Sequence, residues 1–170
     1  MFRKLKTLLI FATFFFSTEE VVGQSSSYGE LQAAYLFNFA KYIKWPEETS
    51  AFVIGIYGDP EIMVVMENTL KGKKAGGKAI ELRVLEKVEE ATQCNIVYVT
   101  ESGSKGINAL VNVMGDRNIL IVTEEDLIKK GASISFVVED DRLRFKLKKS
   151  ALAKSGLVAS EGLLKLAIQL

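Results

Sequence analysis

GELQAAYLFNFAKYIKWP, Gly29 to Pro46, is the stretch from which the fold of this chain is read. As a helix it places Leu31, Ala34, Tyr35, Asn38, Phe39, Tyr42 and Ile43 on one stripe, in steps of three and four residues. Leu36, Phe37 and Ala40 widen that stripe round most of the circumference. Only Glu30, Gln32, Lys41 and Lys44 give it a polar side. Such a helix expects cover on more than one side, from its own core and from a second chain. Pro46 cannot continue it and pushes Trp45 out of the α region, so the helix is expected over about Tyr28 to Lys44.

Outward from this helix, the chain alternates. FVIGIY (Phe52 to Tyr57) is a continuous apolar run closed by Gly58-Asp59-Pro60, a buried strand followed by a turn. Asp59 and Pro60 suit the start of a helix whose apolar face is Ile62, Val65, Met66 and Leu70, ending at Gly72. Lys71 to Lys78 is a basic, glycine-rich loop. Glycine amides can cradle an anion, but the spacing matches neither a Walker loop nor a dinucleotide fingerprint, and a solvated turn is the preferred reading. Ile80 to Leu85, Asn95 to Thr100 and Asn118 to Thr123 read as strands. Helical turns are expected at Val88 to Thr92 and Ile107 to Met114. Thr123 with Glu124, Glu125 and Asp126 reads as the capped, acidic start of a further short helix ending at Gly131.

Ala132 to Val138 and Leu143 to Leu147 flank EDDR and form an expected antiparallel hairpin. The tail from Lys149 reads as one or two short helices broken at Gly156, the last apolar to Leu170. The fold class that follows is α/β. It is a single domain with a mainly parallel central sheet flanked by helices, an antiparallel C-terminal hairpin and a terminal helix.

The N-terminus stands apart. Arg3, Lys4 and Lys6 precede an apolar run, Leu8 to Phe16, too short for a stable membrane anchor. Val21 and Gly23 suit the positions a signal peptidase reads, with cleavage before Gln24. Residues 1–23 are therefore expected to be a signal peptide and residues 24–170 the folded domain, periplasmic after secretion. No cysteine follows the apolar run, so a lipid anchor is not expected. Removing Arg3, Lys4, Lys6, Glu19 and Glu20 takes the net charge from +1 to zero. A neutral chain has no long-range field for nucleic acid or an anionic membrane.

There is no histidine. Ser-His-Asp and Cys-His nucleophile systems are thereby excluded, as are the usual His-based metal sites. Cys94 is the only cysteine, so no intrachain disulfide is possible; it reads as a small buried residue. The carboxylate clusters, Glu124 to Asp126 and Asp140-Asp141, sit where a helix start and a hairpin tip want charge. No catalytic residue, cofactor or metal is expected. The surplus apolar surface instead suggests partner contact through Tyr35, Leu36, Phe37, Phe39, Tyr42 and Trp45, with Leu163 and Leu166 of the terminal helix in support. The alternative is a small-molecule pocket at the strand ends near Gly55 to Asp59.

With these blocks laid out, the chain resembles the YfiR/HmsC family of bacterial periplasmic proteins. The resemblance rests on Ala33 to Pro46, FVIGIYGD (Phe52 to Asp59), Leu70 to Lys73, CNIVYV (Cys94 to Val99), NILIVT (Asn118 to Thr123) and Arg144 to Ala167, in that order and spacing. It implies an α/β domain without enzymatic activity. It also implies binding to the periplasmic part of an inner-membrane signalling protein, such as a diguanylate cyclase. That partner would be held inactive, linking the chain to cyclic di-GMP and biofilm control, with a homodimer as the implied assembly. Cys94 matches a family cysteine, but the partners that form disulfides in some members are missing.

Overall fold

The computed structural model describes residues 21–46 and 50–170. The helix that opened the reading, α1, runs Val21–Tyr42. It is followed by β1 (Ile43–Lys44), β2 (Phe52–Tyr57), α2 (Ile62–Leu70), β3 (Lys74–Ala75), β4 (Lys78–Leu85), β5 (Ile96–Val99), α3 (Ile107–Met114) and β6 (Leu120–Thr123). The hairpin β7 (Ile134–Glu139) and β8 (Arg142–Leu147) comes next, then α4 (Lys149–Lys154), β9 (Val158–Ala159), α5 (Glu161–Leu166) and β10 (Ile168–Gln169). Short 3-10 turns fill Val88–Gln93, Glu101–Gly106 and Ile128–Lys130.

The main sheet has the order β10-β8-β7-β6-β5-β2-β4-β3. β4, β2, β5, β6 and β7 are parallel neighbours. Taken in chain order these five strands lie 2-1-3-4-5, a doubly wound arrangement in which the winding reverses between β2 and β5. β8 is antiparallel to β7, with Phe136 opposite Phe145 and Val138 opposite Leu143. Both faces of the sheet are covered, which is why β5 and β6 are buried throughout and almost wholly apolar. One core lies under α1 and α2 and includes Leu36, Phe39, Ile54, Met66, Tyr98, Phe136 and Phe145. The other lies under α3 and includes Val97, Val99, Leu110, Met114 and Leu127.

Several expectations need correction. α1 ends at Tyr42 rather than Lys44, because Ile43 and Lys44 are extended and pair antiparallel with Ala159 and Val158. Pro46 disfavours helix at Trp45, and the Ser160 N–H caps the Tyr42 carbonyl at 2.9 Å. The basic loop at Lys71 to Lys78 is a hairpin. Gly76 and Gly77, at φ 56° and 82°, make the two-residue turn that joins β3 to β4. No helix starts at Thr123. Its side chain is buried, and its hydroxyl is spent on the Ser135 hydroxyl at 2.6 Å and the Glu125 carbonyl at 2.7 Å. The acidic residues after it are used elsewhere: Glu124 accepts the Glu101 N–H, and Asp126 pairs with Lys146. The tail is not helical to its end. α5 stops at Leu166, and Ile168 and Gln169 extend the sheet beside Lys146 and Leu147. The expected signal peptide falls, up to residue 20, outside the described residues. No described helix is long and apolar enough to cross a membrane.

Candidate functional site

α1 is the element that carries most of the predicted site, and its burial is graded round the helix. Gln32, Ala33, Leu36, Phe39, Ala40 and Ile43 form the inward stripe. Gln32 is polar but paid for by a buried bond: the Tyr98 hydroxyl donates to its Oε1 at 3.0 Å. Burial, with a smaller push from Glu124, raises the Tyr98 hydroxyl well above the usual tyrosine range. It therefore stays protonated as the donor in that bond.

The sequence-predicted residues separate into three groups. Leu36, Phe39 and Leu163 are core, not surface. Phe39 sits among Tyr35, Phe136 and Phe145, with ring centroids 6.0, 6.1 and 5.1 Å away. As placed, these three offer a partner nothing without unfolding, which corrects their assignment. Tyr35, Phe37 and Trp45 are half-buried rims of the same core. Trp45 stands edge-on to Phe52 at 5.1 Å and donates through Nε1 to the Ala40 carbonyl. Phe37 lies under the Lys73 ammonium at 4.9 Å. Tyr42 and Leu166 are open to solvent, at 45% and 66%.

Two of these residues meet across the fold. Tyr35 and Leu166 line an open cleft of about 630 Å³ together with Leu143, Arg142, Arg144 and Lys165. The Tyr35 hydroxyl donates to the Leu143 carbonyl at 3.3 Å, fixing α1 to the hairpin. Glu139 and Asp140 complete the rim, and Glu139 pairs with Arg144 at 3.0 Å. The site thus has an aromatic and aliphatic floor with a mixed-charge border, the pattern of a protein-binding patch. Leu143 and the two arginines were not foreseen. Their only signal is the alternation of RLRF, which puts arginine and leucine on opposite faces of one strand.

At the strand ends from Gly55 to Asp59 the backbone of β2 packs closely on neighbouring segments. A Cβ at Gly58 (φ 116°) would meet the Thr100 hydroxyl and, at 2.6 Å, the Gly103 nitrogen. The turn after β5 therefore packs directly against Gly58 where the winding reverses. The Asp59 N–H donates to the Thr100 hydroxyl at 2.8 Å and ties the two together. Gly55 is equally tight, against the Cys94 sulfur and Leu85. A second cleft, about 500 Å³, opens at the other ends of β5 and β6, lined by Trp45, Thr92 to Asn95 and Asp116 to Ile119. Cys94 borders it as a buried thiol that burial pushes up to about 11, so it is a poor nucleophile at neutral pH. Among the described residues no His, Cys, Asp and Glu cluster could hold a metal ion.

Comparison with known proteins bears on this surface through the fold. The family described as YfiR/HmsC-like matches residues 29–168. A conserved domain protein from Vibrio cholerae O1 biovar eltor superposes with a TM-score of 0.57 at 10% identity, over 83% of this chain and 59% of that one. The ABC domain from Streptococcus pneumonia, crystallised with L-Trp, gives a TM-score of 0.51 at 13% identity, over 70% and 54%. The chain thus spans little more than half the length of either, and at these identities the likeness concerns the fold alone. No curated protein matches the chain.

Proposed function

The chain belongs to the YfiR/HmsC-like family, and from that premise we propose that it is a non-catalytic periplasmic regulator of a membrane signalling protein. It binds the periplasmic part of an inner-membrane partner, such as a diguanylate cyclase, and holds it inactive. The observation that carries this reading is the patch of Tyr35, Leu143 and Leu166 between α1, α5 and the hairpin, with its arginine, lysine and carboxylate border. Leu166 is the natural anchor, since a leucine this exposed gains most from being covered. The mechanism is differential affinity: binding one conformation of the partner more tightly shifts its population toward that conformation. The reading places the secreted chain, without residues 1–23, beside that partner, with no cofactor and no nucleic acid.

The test is Leu166→Asp in the full chain. Leu166 packs on nothing essential, so the variant folds. Capture of the membrane partner should fall at least tenfold, and cyclic di-GMP should rise in cells that depend on the repressor. A folded variant that captures and represses like the parent removes this patch from the mechanism. The second reading, a small-molecule pocket at the strand ends near Gly55 to Asp59, is less favoured because Thr100 and Gly103 pack closely against Gly58 there.

A further inference from the structure

On the α3 face of the sheet a half-buried lysine is left without a counter-charge. Ile134 lies opposite Leu147, and both belong to the core under α1 and α2. Side chains alternate along a strand, so Ser133 and Lys148, one step further out, turn to the α3 face. Their backbones continue the ladder. The Ser133 N–H donates to the Ile121 carbonyl and the Lys148 N–H to the Ser133 carbonyl, each at 3.0 Å. Lys146 shares that face and pairs with Asp126 at 2.7 Å. Lys148 is half-buried, and among the described residues no carboxylate pairs with it.

Ser133 and Lys148 open on a cleft of about 360 Å³ between α3 and α4. Val111 and Met114 wall it on the α3 side, and Ser150, Lys154 and Ser155 on the α4 side. Ile119 and Ile121 give it an apolar floor. Ser133 is only 2% exposed, and its hydroxyl has no hydrogen-bond partner among the described residues. Every fully enclosed side-chain nitrogen or oxygen among those residues does have one, so this hydroxyl reaches the cleft. A polar group that deep, with no partner in the protein, is one that a ligand or solvent has to satisfy. The surrounding charge has one sign. From Arg142 to Ser160 the chain carries six basic side chains and no acidic one.

We propose that this cleft binds a small phosphate monoester with an apolar body. Lys148 and Lys154 bring two positive charges to it, which match a phosphate that is close to dianionic at neutral pH. The hydroxyls of Ser133, Ser150 and Ser155 donate to its oxygens, and the isoleucine floor takes the ester group. No arginine lines the cleft among the described residues. Arginine is the side chain that grips a planar carboxylate with two parallel bonds, whereas lysine meets a phosphate as a point charge. The volume is at the low end for ligand sites, so the body is a single ring or a short chain. The cleft belongs to the α3 face, and the Tyr35 and Leu143 patch to the α1 face, so a bound ligand leaves that patch free.

The experiment is calorimetric titration of the purified full-length expression product with phenyl phosphate. One ion per chain should bind with a Kd below about 1 mM, and more weakly as salt rises. Benzoate, with the same ring and a single charge, should bind about tenfold more weakly or worse. Lys148→Gln and Lys154→Gln should each weaken phenyl phosphate about tenfold, and Ser133→Ala about threefold to tenfold. The Ser133 and Lys148 variants keep their backbone bonds, and Lys154 is exposed, so all three fold. Lys149→Gln, at an exposed lysine outside the cleft, should bind like the parent. Vesicles of phosphatidylcholine with and without phosphatidic acid identify the source of the phosphate. Co-sedimentation that needs phosphatidic acid and is lost in Lys148→Gln makes it a lipid headgroup; phenyl phosphate binding without co-sedimentation makes it a soluble ester. The proposal is overturned by an absence of saturable phenyl phosphate binding or by benzoate bound equally well. It is also overturned if Lys149→Gln weakens binding as much as Lys148→Gln, since surface charge alone would then be responsible.

Discussion

Replacing Phe39 with alanine separates core from interface on α1 more sharply than any other change. The side chain is wholly buried and touches three aromatic rings, two of them on the hairpin strands β7 and β8. Truncation loses its transfer free energy and leaves a cavity, together about 3–5 kcal/mol for a buried phenylalanine. The edge-to-face contact with Phe145 and the stacked contact with Phe136 add about 0.5–1.5 kcal/mol each beyond area, so the upper half of that range is expected. A domain of this size has about 5–15 kcal/mol in total, and Tm falls about 2–4 °C per kcal/mol. The expected drop is therefore about 10–15 °C. Thermal melts measure that drop, and urea unfolding followed by circular dichroism and by the fluorescence of Trp45, the single tryptophan, measures the free-energy loss. Trp45 packs on Phe52 in the same core, so both probes should move together. A loss under about 1 kcal/mol with an unchanged denaturant slope would refute the packing, and Phe39 would return to the list of surface anchors.

Three further outcomes are expected. Gly58→Ala should destabilise by about 1–3 kcal/mol, since φ is 116° and Thr100 and Gly103 occupy the space a methyl needs; a stable variant that binds a small ligand would reopen the small-molecule reading. Asp140 and Asp141 both hold positive φ, 50° and 57°, in the two-residue turn of the β7–β8 hairpin. Replacing them with Asn-Gly should raise stability by about 0.5–1 kcal/mol in denaturant titrations, and a loss would show that the loop needs the aspartates. For Cys94, the pKa of about 11 lies above the 9.0 of a free thiol. The folded state holds its proton while the unfolded state loses it. The stabilisation is complete below about pH 9 and disappears as pH rises to about 11, up to about 2–3 kcal/mol in all. The stability gap between the parent and Cys94→Ala should narrow over that window; a constant gap would mean that the thiol is not desolvated.

Burial was legible where one physical cause dominates. Short apolar runs bounded by turn residues, such as Ile96–Val99 and Leu120–Val122, read as strands covered on both faces. The hairpin was legible because Phe136, Val138, Leu143 and Phe145 alternate about a polar tip. Thr123 misled because its sequence context is that of a helix cap. The partner that claims its hydroxyl, Ser135, is twelve residues away, and no local pattern reports that. Gly58 is ambiguous from sequence in the same way, since a glycine at a strand end serves equally for ligand approach and for the close packing of Gly103.

On α1 the two sources of information divide cleanly. Local spacing determined that the stretch from Gly29 is helical, that its apolar surface exceeds one stripe, and that the helix stops before Pro46. Those properties follow from a period of 3.6 residues and from the ring of proline, and they need no other part of the chain. Which apolar residues are core was decided by the tertiary structure. Leu36 and Phe39 point at a sheet whose hairpin strands lie a hundred residues further on, and Tyr42 and Leu166 do not. Burial is a property of what arrives from elsewhere in the chain, so the helix could show its surplus while the fold alone decided what that surplus meets.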